Sequence, residues 1–153
     1  MRLDKLTIKS QEAIQEAQGQ CSARGHQSLE ASHLLAALLA QPDGSTLPIL
    51  LKLGVSAEQL ARELDRQLEQ TPKVTGGAQE QMSKALSRIM EAAFEEAAGM
   101  QDEYISTEHL LLAVASDDGD ASGRMLRSVG ASREGILQAL QSIRGSAKIT
   151  DQD

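Results

Sequence analysis

The residues of this chain best suited to bond-making chemistry or metal binding are His26, His33 and His109, the single Cys21, and the acidic pairs Glu95-Glu96 and Asp117-Asp118. A metal centre needs Cys or His ligands at short paired spacings, and none of these residues is so spaced. His33 and His109 instead stand at matching places, each just ahead of a Leu-Leu pair at the start of an apolar helix. That placement predicts a shared structural task, a hydrogen bond near the helix end, rather than a ligand or a base. Cys21 keeps step with Ile14 and Ala17 at helical spacing and reads as a small buried hydrophobe, not a reactive thiol. A lone cysteine also excludes an internal disulfide and suits a reducing compartment. The acidic pairs are adjacent rather than convergent, as on solvated surface or in loops. No Gly-x-x-x-x-Gly-Lys-Ser/Thr string is present to cradle nucleotide phosphates. The reading is of a chain with no catalytic residues, no metal and no cofactor of its own.

The elements that position these residues come in two copies. Leu29 to Leu35 reappears as Ile105 to Leu111, and Gly54-Val55-Ser56-Ala57-Glu58 as Gly130-Ala131-Ser132-Arg133-Glu134, at a constant displacement of 76 residues. The same shift carries Leu6, Ala13, Ile14, Ala17 and Cys21 onto Met82, Ile89, Met90, Ala93 and Ala97. Apolar residues recur at three and four rather than at two, so the units are helical. Each repeat predicts one long helix, its apolar face beginning at Leu6 or Met82, followed by three short ones. The second helix runs from Ala31 to Ala40, and Pro42-Asp43-Gly44 stops it. The third runs from Thr46 to Leu53, with Pro48 tolerated in its first turn. Gly54 takes the left-handed stop, with Val55 closing it. Ser56 opens the fourth helix with Gln59 three residues on, a capping box; Gly135 replaces that Gln in the second repeat. The fold class is therefore all-α, eight helices in two pseudo-symmetric groups of four. Repeat one spans about 1–70, repeat two about 80–145, with a turn-rich connector over 71–79. Residues 146–153 lose their apolar face and read as the start of a linker.

Composition narrows the partners. Fifteen basic residues against 22 acidic ones give a net charge of −7, which repels phosphate backbones. With one Phe, one Tyr and no Trp there is no platform for stacking bases, so nucleic acid is not expected as a partner. No apolar run approaches the roughly 20 residues needed to span a bilayer. The opening Met1-Arg2-Leu3-Asp4-Lys5-Leu6 lacks a signal-peptide core, so the expectation is a cytoplasmic chain with no membrane partner. The same lack of Trp and Tyr anchors predicts weak, promiscuous, rapidly reversible protein contacts.

Where the repeats differ, the difference is informative. Phe94, Met100, Tyr104 and Leu112 stand where the first repeat has Gln18, Arg24, Ser28 and Ala36. With Asp102 among them, these residues predict a mixed apolar and acidic groove suited to extended, basic or apolar segments. Packing between the repeats is the other reading of the same residues. Opposite cases exist: Leu47, Leu51 and Leu68 face Gly123, Arg127 and Arg144.

The opening Met1-Arg2-Leu3-Asp4-Lys5-Leu6-Thr7, the duplicated His-Leu-Leu helices, the Gly54 turn and the connector ending Val74-Thr75-Gly76-Gly77 together resemble the Clp amino-terminal repeat domain, over residues 1 to about 145. Within that family the opening string is most similar to the ClpB branch of ATP-driven disaggregases. The resemblance implies a domain that precedes two AAA+ modules on a mobile linker, with ATP and Mg confined to those modules. It implies engagement of unfolded or aggregated polypeptides for refolding in the stress response, alongside a DnaK-type chaperone system. The fragment would be monomeric and its parent hexameric. The alternative is an adaptor-docking domain of a ClpA- or ClpC-type protease ATPase. The family's polar substrate-binding patch falls here on Thr7, Asp102 and Glu108, joined by Phe94, Met100 and Tyr104 from the repeat comparison. Plainer roles stand beside it: Thr7 as the cap of the first helix, and Glu108 as an acid at a helix's positive end.

Overall fold

Thr7 and Ser83, which the 76-residue shift superposes, are the N-caps of the two long helices. Thr7 Oγ1 accepts from Ser10 N–H at 3.2 Å and Ser83 Oγ from Leu86 N–H at 3.0 Å, each filling one of the orphan donors of a helix start. The computed structural model describes residues 2–74 and 81–153. After a short 3-10 turn at Leu3–Lys5, the elements are α1 (Ile8–Ala23), β1 (Ser28–Leu29), α2 (Ala31–Ala40), α3 (Thr46–Lys52), α4 (Ala57–Gln70), β2 (Gln81–Met82), α5 (Lys84–Gly99), α6 (Thr107–Ser116), α7 (Ala121–Ser128) and α8 (Arg133–Arg144). The fold is all-α, with one two-stranded parallel sheet as its only sheet among the described residues.

The long helices start later than their apolar pattern suggests. Leu6 and Met82 precede the caps in extended backbone, because an apolar residue just before a cap packs on the same face as the helix that follows. Leu6 bridges Ile105 in parallel, and Met82 pairs with Leu29 in the β1–β2 ladder. Leu6 corresponds to Met82 and Leu29 to Ile105, so this is one pairing used twice. Each repeat's long helix begins hydrogen-bonded to the other repeat.

At the centre lie α2 and α6, packed on each other, with α1 and α5 against them. Leu34, Leu35, Leu38, Leu110, Leu111 and Leu112 are all essentially inaccessible. Leu112 therefore belongs to the core, as the packing reading of the repeat differences has it. Cys21 is fully buried. Gly54 (φ 72°) and Gly130 (φ 94°) stop α3 and α7 in the left-handed region. Beyond them Val55 N–H reaches Leu50 O and Ala131 N–H reaches Leu126 O, both at 2.9 Å. Ser56 accepts from Gln59 N–H, but the return bond of a capping box does not form and the Gln59 side chain stays exposed.

The pseudo-symmetry breaks at the ends of the molecule. Helix α3 packs against α8, where Gly135 lets Leu53 come within 3.4 Å of the place a Cβ would occupy. In the matching position α4 carries Gln59, and an open groove separates α4 from α7. Of the connector, Val74 is held by its N–H on Gly25 O at 2.8 Å, and residues 75–80 lie outside the described residues. No helix among the described residues is long and apolar enough to cross a membrane.

Candidate functional site

His33 and His109 each sit at the third position of their helix and close the N-terminus from the inside. His33 Nδ1 accepts from Glu30 N–H at 2.9 Å, and His109 Nδ1 from Ser106 N–H at 2.8 Å. This is the helix-end hydrogen bond expected of the pair. It fixes the neutral tautomer, since an Nδ1 that accepts leaves the proton on Nε2. The repeats then diverge in what that proton meets. His33 Nε2 lies 2.8 Å from His26 Nδ1, and His109 Nε2 lies 2.7 Å from Asp102 Oδ2. His26 and Asp102 are the same repeat position. The His26 Nε2 is buried, close to the Leu68 backbone.

Asp102 reaches this place through a tight turn at the end of α5. Gln101 takes φ 60°, a left-handed conformation that Gly25 holds in the first repeat at φ 72°. Asp102 N–H then bonds to Ala97 O at 2.9 Å. Its carboxylate is wholly inaccessible and accepts from His109, from Arg144 Nη2 (2.7 Å) and Nη1 (3.2 Å), and from Ile149 N–H (2.9 Å). Arg144 Nε also faces Glu108 Oε1 at 3.4 Å, and Nη2 lies 3.6 Å from Met100 Sδ. Burial by itself would push the Asp102 carboxyl up, but the bonds from Arg144, Ile149 and His109 outweigh it and hold it below the usual 3.8. Burial keeps the His109 ring below 6.5 despite Asp102, and burial pushes Glu108 above 4.5. A His–Asp pair invites comparison with a catalytic dyad, yet both side chains are inaccessible and both ring nitrogens of His109 are engaged. The arrangement locks structure and offers no proton to a substrate.

Among the predicted site residues, Met100, Asp102 and Glu108 thus gather around Arg144. Thr7 is tied to the same corner through Ile105, whose carbonyl accepts from Thr7 N–H (3.0 Å) and from Ser10 Oγ (2.9 Å). Thr7 also caps α1. Tyr104 is half-buried nearby in sequence. Phe94 looks elsewhere. With Met82, Met90, Ser87, Glu91, Glu95 and Arg2 it lines a groove of about 500 Å³ along α5. Met82, Met90 and Phe94 give that groove an apolar floor, and Glu91 and Glu95, one turn apart, an acidic rim. The larger groove, about 790 Å³, lies between α4 and α7 and is bordered by Val55, Leu60, Glu63, Arg124, Met125 and Val129 among others. No cluster of three or more metal-ligating side chains occurs among the described residues.

Sequence reasoning missed Arg144 as the organiser of the polar corner. The signal was present: a charge stands where the other repeat has Leu68, buried in its core, and a charge in a buried position needs partners. Met82 and Met90, which the 76-residue shift places on the apolar face of the second long helix, also line the Phe94 groove.

A family model described as the Clp repeat (R) N-terminal domain matches residues 5–129. The ClpB chaperone of Rhodopirellula baltica is 39% identical over 150 residues, which is 98% of this chain and 17% of that protein. The chain accordingly spans under a fifth of the length of the curated relatives it matches. Its fold is similar to the Hsp104 N-terminal domain of Candida albicans, with a TM-score of 0.85 at 19% identity over 97% of each chain. It is also similar to a ClpV N-domain solved with a VipB peptide, with a TM-score of 0.75 at 18% identity over 97% of this chain and 92% of that one. With the duplicated helical unit and these matches in agreement, the chain belongs to the Clp repeat N-terminal domain family.

Proposed function

We propose that this chain is the client-binding amino-terminal domain of a ClpB-type disaggregase, engaging unfolded or aggregated polypeptides and passing them to AAA+ modules. The observation that carries the reading is the α5 groove, where the half-buried Phe94 and Met82 form an apolar floor over the buried Met90, beside Glu91 and Glu95. Methionine-rich walls adapt to many apolar side chains, and an acidic rim selects segments that also carry Lys or Arg. On this reading the parent works in the cytoplasm with a DnaK-type system, as a hexamer in the stress response, and residues beyond about 145 lead toward its ATPase modules. Arg144, largely covered, shapes the neighbouring surface, Asp102 offers one carboxylate oxygen to an extended chain there, and Thr7 and Glu108 border it.

Titrating a permanently unfolded, labelled model protein into the domain and following amide shifts tests this. Shifts centred on Phe94, Met90, Glu91 and Glu95, and an affinity weakened about tenfold by Phe94→Ala, are expected. Absence of shifts along α5 at millimolar client overturns it. The α4–α7 groove favours a second reading, adaptor docking, because it is the larger opening and exists only on one side of the pseudo-symmetric molecule. Shifts confined to Val55, Arg124 and Val129, with a folded partner only, would select that reading.

A further inference from the structure

Gly145 ends α8 with a positive φ of 57° and turns the chain back on itself. Residues 146–153 form no helix or strand, yet their course is fixed by hydrogen bonds to two separate edges of the domain. At one edge, Ile149 N–H donates to Asp102 Oδ1 (2.9 Å), Ile149 O accepts from Glu103 N–H (2.8 Å), and Lys148 Nζ donates to Met100 O (3.0 Å). At the other, Gln152 O accepts from Ile8 N–H (2.8 Å), and Gln152 Nε2 donates to Leu6 O (3.0 Å) and Asp4 O (3.3 Å). Only Ile149 and Gln152 among these tail residues are even half-buried. The domain thus reads an extended chain by its backbone and by two side chains three positions apart. This is the pattern by which proteins hold extended peptides: main-chain bonds supply grip and spaced pockets supply selectivity.

We propose that the furrow between Leu6–Ile8 and Asp102–Glu103 is a binding site for extended polypeptide, and that its resident occupant is the chain's own segment 147–152. The inference deepens the client-binding reading and rests on it for the competing ligand, a client segment with an apolar residue followed three positions later by Gln or Asn. The occupant buries little apolar surface, so it is held by hydrogen bonds, three from its backbone that any extended chain can replace and others from Lys148 and Gln152 that a client needs matching side chains to replace. While it is docked, the first free N–H of α1 and one lone pair of the Asp102 carboxylate are taken. When it leaves, the furrow presents two donors, Ile8 N–H and Glu103 N–H, and two acceptors, Leu6 O and Asp102 Oδ1, in the order in which an extended strand can meet them. Of the family's polar patch, Asp102 then lies in the furrow wall and Thr7 beside it. Client access to that patch is therefore gated by the tail.

The double variant Ile149→Pro/Gln152→Ala removes one backbone donor and one side-chain grip from exposed chain, leaving the helices untouched. In the 153-residue protein it should abolish hydrogen-exchange protection at Ile8 and Glu103. Adding a synthetic peptide with the sequence of residues 146–153 should shift those two amides in the variant and leave the parent unmoved. An unfolded model protein should bind the variant about tenfold more tightly than the parent, as expected when a competitor that occupied nine-tenths of the sites is removed, and the peptide should displace it from Ile8 and Glu103. A variant whose amides ignore the peptide overturns the furrow as a site. A peptide that binds while the unfolded protein never perturbs Ile8 or Glu103 overturns the competition. Loss of every client shift, along α5 included, counts against the client-binding reading alone, because the peptide arm is read without any client.

Discussion

Arg144 supports two carboxylates at once, and its removal strands both. Asp102 would keep His109 and the Ile149 amide but lose its counter-charge inside the protein, and Glu108 would lose its only ion-pair partner among the described residues. Breaking a buried pair from one side costs about 3–5 kcal/mol, so Arg144→Ala should lower the urea midpoint severely. Arg144→Lys should recover only part of the loss, since an ammonium cannot make the forked contact with Oδ1 and Oδ2. The buried histidines set the pH response. Burial holds the folded pKa of His26 and of His109 below 6.5. The unfolded chain accepts protons near that value and the folded chain refuses them, so stability is full above it and falls as the pH drops below it. Asp102, depressed below 3.8, contributes stability present above that value and surrenders it only as the pH falls through its lower folded value. Glu108, raised above 4.5, acts in the opposite sense and relieves its burial by taking a proton first. The first loss on acidification therefore belongs to the histidines. A urea midpoint that stays flat between about pH 7.5 and about pH 5.5 would refute this. At this scale the sequence exposed the Thr7 cap and the shared duty of His33 and His109, both of which depend on neighbours within one turn. It did not expose the Asp102–Arg144 lock, which joins residues 42 apart that no periodicity relates.

Two glycines show what a helix boundary reveals and what it conceals. Gly54 was legible because a left-handed stop followed by an apolar residue is a local pattern. Its missing Cβ would meet nothing within 4 Å, so Gly54→Ala carries only the backbone penalty, about 1 kcal/mol. Gly123 sits in the middle of α7, where a glycine ordinarily weakens a helix. A Cβ there would come within 2.4 Å of Asp117 O and 2.6 Å of Val114 O, at the end of α6. Gly123→Ala must therefore push α7 away from α6 and should cost at least about 2–3 kcal/mol, clearly more than Gly54→Ala in parallel thermal melts. The same close approach lets Arg127 Nη1 donate to Ala115 O (2.7 Å) and Asp117 O (3.0 Å), closing the C-terminus of α6. The sequence displayed Gly123 and Arg127 opposite Leu47 and Leu51, but only the packing of one helix end on another gives that exchange a cause.

Across the molecule, the net charge of −7 and the acidic rim at Glu91 and Glu95 make client choice electrostatic as well as apolar. Replacing both with Gln should weaken binding of a basic unfolded client several-fold and leave an uncharged apolar one unchanged, as read by fluorescence anisotropy. Raised salt should mimic the substitution, because exposed charges are screened within about 10 Å at 0.1 M. The two-repeat architecture was fully legible in the 76-residue echo, whereas the manner in which the halves hold each other was not, since strands of two residues leave no alternating pattern. That manner has a consequence for ancestry. The Leu6–Ile105 bridge and the Leu29–Met82 pairing are reciprocal, each half lending the start of its long helix to its neighbour. A chain holding one such unit could not close this pairing on itself and would satisfy it only with a second copy across a two-fold axis. The present protein has the form of that homodimer made permanent by gene duplication and fusion.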